Sequence, residues 1–239
     1  MNSGILILNK HPQIVNRCLD SIKEFESDPG PIIVICDNHH GEGITHDVGK
    51  IAVFGKFVFS KNVNIGLMAM GERDVFFMND DVALVENESV RTCAAEAGLH
   101  PNVGMMAPMI DGGIGNPYQD FNRVSELWPA GKWHLDLTGR KSTDLPICFV
   151  AVFLKRKMLK EVGPMDENFT GYGFDDNDYC LRARRKGWRT TITRLTHVKH
   201  GAGGAEFRKG ENWNCTYHGE RPESNLGIFT AKYGGKETS

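Results

Sequence analysis

The alternation of apolar runs with turn residues at the amino-terminal end constrains the fold most. Gly4-Ile5-Leu6-Ile7-Leu8 is an uninterrupted apolar run, the pattern of a strand buried on both faces. Asn9-Lys10-His11-Pro12 breaks it. Ile14, Val15, Cys18, Leu19, Ile22 and Phe25 then recur at three- and four-residue steps, one face of an amphipathic helix with Pro12 suited to its first turn. Asp28-Pro29-Gly30-Pro31 stops that helix, and Ile32-Ile33-Val34-Ile35-Cys36 is a second buried run ending in Asp37-Asn38. Strand, helix and strand make a βαβ unit, whose crossover is right-handed. The chain is therefore committed to the α/β class by Asp37. No GxGxxG follows the first strand and no GxxxxGK[ST] occurs, which argues against dinucleotide-binding and P-loop chemistry.

A third run, Val75-Phe76-Phe77-Met78, ends in Asn79-Asp80-Asp81. Ligands of open α/β sheets lie beyond the carboxyl ends of the strands. Hard divalent cations take oxygen ligands, commonly one or two carboxylates together with substrate phosphates. A strand that delivers Asn79, Asp80 and Asp81 to its rim is thus a candidate for holding a cation against a diphosphate; an ordinary Asn-Asp turn is the plain alternative. Asp37 stands in the same position after its strand, where an acidic residue accepts hydrogen bonds from a ribose or base, again with a turn aspartate as the alternative. His39 and His40 read as exposed histidines of a glycine-rich turn, with no Cys or His nearby to complete a ligand set.

Between and after these runs the pattern predicts one or two strands over 51–59, a short helix over 62–72 and a short strand over 82–85. A helix over 87–97 is capped by Asn87 and ended by Gly98, and a strand covers 103–107. Periodicity is lost over 108–143, where glycines and prolines punctuate the chain and Trp128 and Trp133 either stack on a ligand or anchor the loop. A strand over 146–154, a helix over 155–162, two short strands over 188–195 and a closing helix over 220–233 complete the reading.

The second acidic cluster is Asp175-Asp176-Asn177-Asp178, leading into Tyr179-Cys180-Leu181-Arg182-Ala183-Arg184-Arg185-Lys186-Gly187. Carboxylates in the first turn of a helix and bases in its last complement the macrodipole, and Asp178 is placed to pair with Arg182 four residues on. That design does not account for three carboxylates in four residues. Crowding raises the proton affinity of at least one of them, as a general base requires. His197 and His200 precede a glycine-rich stretch and are candidates to complete an Asp/His metal site.

The size, 239 residues, suits one large domain, and a formal net charge of −2 gives no general attraction to nucleic acid or membrane surfaces. No N-terminal signal pattern is seen, and no apolar run is long enough to span a bilayer. The six cysteines form no CxxC pair and most lie in apolar segments, which predicts reduced thiols and a cytoplasmic setting.

Four features stand in one order: the βαβ start with Asp37, the Asn79-Asp80-Asp81 rim, Gly163-Pro164-Met165-Asp166-Glu167-Asn168-Phe169 leading to Asp175-Asp176-Asn177-Asp178 and Arg182, and His200-Gly201. Together they resemble the family 2 nucleotide-sugar glycosyltransferases, over about residues 3–202. The resemblance implies a single-domain GT-A-like (Rossmann-like) α/β fold, a central mostly parallel sheet flanked by helices. Its donor half would be about 1–107 and its acceptor half about 108–202, with 203–239 a C-terminal extension. It implies an inverting, metal-dependent transfer from a nucleoside diphosphate sugar to an acceptor hydroxyl. Asn9, Asp37 and Asn38 would line the nucleoside pocket, with Asn79 and Asp80 also on the donor side. Asp81, Asn79 and His200 would hold Mn²⁺ or Mg²⁺ in a DXD-like motif, with His197 in reserve. Asp176 would be the catalytic base and Asp175 its neighbour and substitute. Two departures stand out: Asn79 where the family usually has Asp, and Asp175 where it usually has Glu. The acceptor stays open among a glycan, a lipid-linked sugar, a protein side chain and a modified nucleobase. A nucleotidyltransferase and a non-catalytic nucleotide-sugar-binding module are the alternatives.

Overall fold

A computed structural model describes residues 2–112, 116–123, the backbone of 134–136, and residues 147–171, 173–201 and 225–233. The first strand, β1 (Ser3–Asn9), is buried along its whole length, as its unbroken apolar run requires. Helix α1 (Pro12–Phe25) carries the chain to β2 (Ile32–Asp37), which pairs with β1 in parallel. The chain then steps outward to β3 (Gly49–Val53), crosses back through helix α2 (Phe59–Ala69), and enters β4 (Asp74–Asn79) on the far side of β1. Next come the short β5 (Val82–Leu84), helix α3 (Ser89–Leu99), β6 (Val103–Asp111), β7 (His134–Asp136) and β8 (Ala151–Leu154). Helix α4 (Arg156–Val162), helix α5 (Asp175–Arg185), β9 (Arg189–His200) and helix α6 (Leu226–Tyr233) follow.

The strands form one sheet in the order β3-β2-β1-β4-β8-β6-β9-β5, with β7 also on β9. Strands β1 to β4 are mutually parallel, β8 runs antiparallel between β4 and β6, and β6 and β9 again run with β1. The sheet is therefore mostly parallel in direction. Successive residues of a strand face opposite ways, and the two faces bury different helices. Ile5, Ile7, Val34, Phe76 and Met78 pack against Val15, Cys18, Leu19 and Ile22 of α1 and Val90, Cys93 and Ala97 of α3. Leu6, Leu8, Ile35, Val75 and Phe77 pack against Val63 and Leu67 of α2, Met158 and Leu159 of α4, and Tyr179, Cys180 and Ala183 of α5. Each fully buried aliphatic side chain contributes about 1.5–3 kcal/mol, and this double-sided burial holds the three layers together.

The structure redraws several element boundaries. Strand β6 continues to Asp111 because its pairing with β9 tolerates a bulge between Ala107 and Met109; Pro108, which has no N–H to give to a ladder, sits in that bulge. Residues 189–200 form one strand rather than two short ones. Its outer edge is shared, Thr191–Thr193 pairing with β7 and Val198–His200 with β5. Helix α3 starts at Ser89 and runs through Gly98. Its first N–H groups are met by Glu26, which accepts from Val90 N–H at 2.7 Å, and no cap from Asn87 is involved. The long loop's Trp128 and Trp133 lie outside the described residues, as do 220–224 of the closing helix.

Candidate active site

Chain order and strand order diverge at β1. The chain leaves it for β2 and β3 on one side and returns to β4 on the other, so the crevice beyond the carboxyl ends of β1 and β4 is the topological switch point where such sheets bind ligands. Asn9 ends β1 and Asn79 ends β4. Asn9 is 2% exposed, and its Nδ2 donates to Asp80 Oδ2 at 2.9 Å. The same oxygen accepts from the backbone N–H groups of Lys10 at 3.0 Å and His11 at 3.5 Å. Asp80 thus ties the loop after β1 to the loop after β4. Burial and the neighbouring Asp81 charge push its carboxyl up to about 6, against those hydrogen bonds. The amide oxygen, Asn9 Oδ1, is buried and accepts from no group among the described residues. A buried acceptor left open at the switch point is suited to an N–H of a bound ligand.

Asp37 ends the adjacent strand β2 and is buried. Asn38 follows it in the left-handed region (φ 56) and is committed to local structure. Its Nδ2 donates to Asp37 Oδ1 and to Gly55 O, both at 3.1 Å, and its Oδ1 accepts from Gly55 N–H at 2.9 Å. Asn38 therefore pins the loop after β3 beside Asp37. His39 is half-buried, and its Nδ1 accepts from Gly41 N–H at 3.0 Å.

Strand β5 brings two distant residues together. Val82 stands opposite His200, so Asp81, one residue earlier, lies beside the end of β9, and Asp81 Oδ2 is 3.4 Å from His200 Nε2. The two side chains keep 15% and 18% of their surface exposed, so neither is fully buried. His197 is turned elsewhere. Three residues from His200, an odd spacing that a strand sends to opposite faces, it pairs through Nδ1 with Glu86 at 2.9 Å and stacks on Phe121 at 4.1 Å between ring centroids. A carboxylate oxygen and an imidazole nitrogen on one rim are a donor pair open to several divalent metals. Among the described residues no three His, Cys, Asp or Glu side chains form a ready-made cation cage.

The second acidic group opens α5. Phe174 precedes it in the left-handed region (φ 66), a conformation that costs a non-glycine residue about 1–2 kcal/mol. The three carboxylates fall into two kinds. Asp178 is 1% exposed and paired: Arg182 Nε lies 2.8 Å from it, Lys232 Nζ 2.7 Å, and Tyr233 OH donates to it at 2.6 Å. Among the described residues, no salt bridge of this kind reaches Asp175 or Asp176. Burial, and for Asp175 the charge of Asp176 next, raises both above the ordinary carboxylate range. Asp176 accepts from Asn177 N–H at 2.9 Å and from the backbone N–H of Phe149. Asp175 accepts from the Asp176 backbone N–H at 3.2 Å, which sets the two carboxyl groups side by side.

The turn before β8 joins the two acidic groups. Phe149 gives its N–H to Asp176, and the next residue, Val150, accepts from Asn79 N–H at 3.0 Å. The Phe149 ring lies 6.0 Å from Phe77 of β4 and 6.0 Å from Tyr179 of α5. Gln119, fully buried, accepts from Cys148 N–H at 3.1 Å and so holds the start of the turn. Asp176 and the Asn79-Asp80-Asp81 rim thus flank one short turn. Two residues escaped the sequence reading. Gln119 lies in a stretch without periodicity and gives no local signal. Asn225 shows only as a polar residue before an apolar helix, although its amide reaches the turn before α5, accepting from Gly171 N–H at 2.7 Å and donating to Gly173 O at 2.8 Å.

Neither a protein-family model nor a curated protein sequence matches the chain. Solved structures match it in shape. GalNAc-T7 with UDP, GalNAc and Mn²⁺ aligns at a TM-score of 0.63 and 11% identity, over 84% of this chain and 44% of that one. Mannosyltransferase PcManGT from Pyrobaculum calidifontis, in complex with GDP-Man and Mn²⁺, aligns at 0.60 and 14% identity, over 84% and 56%. S. aureus TarS 1-349 aligns at 0.59 and 15% identity, over 84% and 60%. The chain spans about half the length of the solved chains it matches. At these identities the likeness establishes the fold, a GT-A-like α/β domain.

Proposed function

We propose that this chain is an inverting, metal-dependent glycosyltransferase of the family 2 type, moving a sugar from a nucleoside diphosphate to an acceptor hydroxyl. One observation carries the reading: a single turn gives Phe149 N–H to Asp176 and Val150 C=O to Asn79, so the buried Asp175–Asp176 pair neighbours the rim that bears Asp81 and His200. Two structures that share the fold hold Mn²⁺, one with UDP and GalNAc and the other with GDP-Man.

The nucleoside would lie across the ends of β1 and β2, where Asn9 Oδ1 and Asp37 offer acceptors to base or ribose, while Asn38 and Asp80 fix the loops that carry them. Asp81, Asn79 and His200 would hold the cation. When bound, it supplies positive charge against the diphosphate as that group leaves. Asp176 takes the proton of the acceptor hydroxyl while the hydroxyl oxygen forms its bond to the anomeric carbon. The bond from that carbon to the diphosphate oxygen breaks, its electron pair leaving with the diphosphate. Attack from the opposite side inverts the anomeric centre. A base whose proton affinity is raised towards neutrality has more driving force for this transfer than an ordinary surface carboxylate. Asp175 adjoins Asp176 and raises the negative potential at that point.

The test is a panel of UDP- and GDP-sugars with Mn²⁺, watched for release of the nucleoside diphosphate in the absence of acceptor. The account predicts slow hydrolysis of at least one donor that stops on chelation and returns with Mn²⁺. Release of pyrophosphate would point to a nucleotidyltransferase, and nucleotide binding without any turnover to a binding module.

A further inference from the structure

We propose that Asn225 is a positioning residue for the proton-accepting carboxylates: through it helix α6 holds Gly171 and Gly173, and with them the start of α5, in the geometry that transfer requires. The inference rests on the reading of the Asp175–Asp176 pair as the base.

An Asn at the head of a helix ordinarily turns its side chain onto the N–H groups of its own first turn. Asn225 stands at the head of α6, where its backbone C=O accepts from Phe229 N–H at 2.9 Å, yet its amide is spent on another segment. Oδ1 accepts from Gly171 N–H and Nδ2 donates to Gly173 O, so both glycines are held by one side chain that is 1% exposed. The residue after Gly173 is Phe174, in the left-handed conformation, and the next is Asp175. A strained residue persists only where its surroundings over-determine it.

The rest of α6 acts on the same target. The Phe229 ring lies 5.4 Å from the Phe174 ring, and with Tyr233 and Phe169 it closes a small apolar cluster separate from the main core. Tyr233 OH and Lys232 Nζ engage Asp178, three residues after Asp175, and Lys232 also reaches Asp166 at 2.6 Å. These contacts of α6 all go to α5 or to the segment leading into it. Asn225 touches neither Asp175 nor Asp176; it acts through the two glycines and the helix start.

The test uses the full chain with Asn225→Ala and Asn225→Asp, read three ways. Amide hydrogen exchange is followed in peptides covering 173–178. Affinity for UDP and for GDP, each with Mn²⁺, is measured by calorimetry. Donor hydrolysis is measured with whichever sugar nucleotide the wild type turns over. For Asn225→Ala we expect exchange in that region to quicken by about tenfold or more, as local opening becomes easier. We expect hydrolysis to fall by about tenfold or more, as misplacement of a reacting group demands, with nucleotide affinity within about twofold of wild type. Asn225→Asp, which keeps an oxygen for Gly171 N–H, should recover part of both losses. Unchanged exchange, or hydrolysis falling only in step with nucleotide affinity and melting temperature, would overturn the proposal. A wild type that neither binds nor hydrolyses a donor would remove the functional reading instead, and the exchange comparison would still decide whether Asn225 secures the start of α5.

Discussion

Buried carboxylates in this chain differ in what answers their charge, and the differences decide what each does. Asp178 has two cations and a phenol, and is a structural pin. Glu26 has none; it accepts from the Val90 and Arg91 N–H groups at the head of α3, and burial pushes it up to about 7. The unfolded chain releases that proton near pH 4.5 while the folded chain keeps it towards pH 7, so this group erodes stability as pH rises through that window. Glu26→Gln keeps an oxygen for Val90 N–H and removes the titration. Its stability relative to wild type should rise by about 1–2 kcal/mol between pH 5 and pH 8, read from denaturant unfolding at both; a constant offset would contradict the assignment. At this scale residue types were legible and partners were not. Asp37 and Asp81 were named from their positions after apolar runs, and His200 from its place before a glycine-rich stretch. Asp80 and Asn38, read as donor-side residues, also fasten loops, which no local signal shows because their partners Lys10 and Gly55 come from other parts of the chain.

At the scale of elements, periodicity carried far where burial was two-sided or faces were clean, as in β1, α1, β2 and β4. It stopped short where a tertiary contact overrode a local signal. Pro108 reads as a strand end and is a bulge within β6, and Asn87 reads as a cap whose place Glu26 takes. Gly98 reads as a helix stop and lies inside α3. Two helical glycines show how packing decides a sign. A methyl group at Gly98 meets nothing within 4 Å, so Gly98→Ala should stabilise by up to about 1 kcal/mol through helix propensity. A methyl group at Gly66 would come within 2.3 Å of Leu6 Cδ1, a side chain with no room to retreat in the core between α2 and β1. Overpacking of that kind costs about 1–3 kcal/mol and exceeds the propensity gain, so Gly66→Ala should destabilise. Thermal or denaturant unfolding of the two variants should move in opposite directions; a stabilised Gly66→Ala would show that α2 is free to shift from the sheet.

For the whole molecule, the order of motifs along the chain announced the class of fold, and closure in three dimensions was beyond it. Nothing local says that β4 returns beside β1, that β5 pairs with the end of β9 and sets Asp81 beside His200, or that one turn touches both Asn79 and Asp176. Those contacts bring separate acidic stretches to one turn, and the proposed function assigns them two tasks: gripping the donor on one side of the turn and taking a proton on the other. Disabling one task should spare the other. The most direct measurement is a calorimetric titration of UDP and GDP, with and without Mn²⁺, into wild type, Asp81→Ala and Asp176→Asn, with donor turnover measured on the same samples. The account predicts Mn²⁺-dependent binding in wild type and in Asp176→Asn, turnover lost from Asp176→Asn by about 10²-fold or more, and binding weakened about tenfold or more in Asp81→Ala. Identical titrations with and without Mn²⁺ in all three proteins, or near-normal turnover by Asp176→Asn, would contradict it.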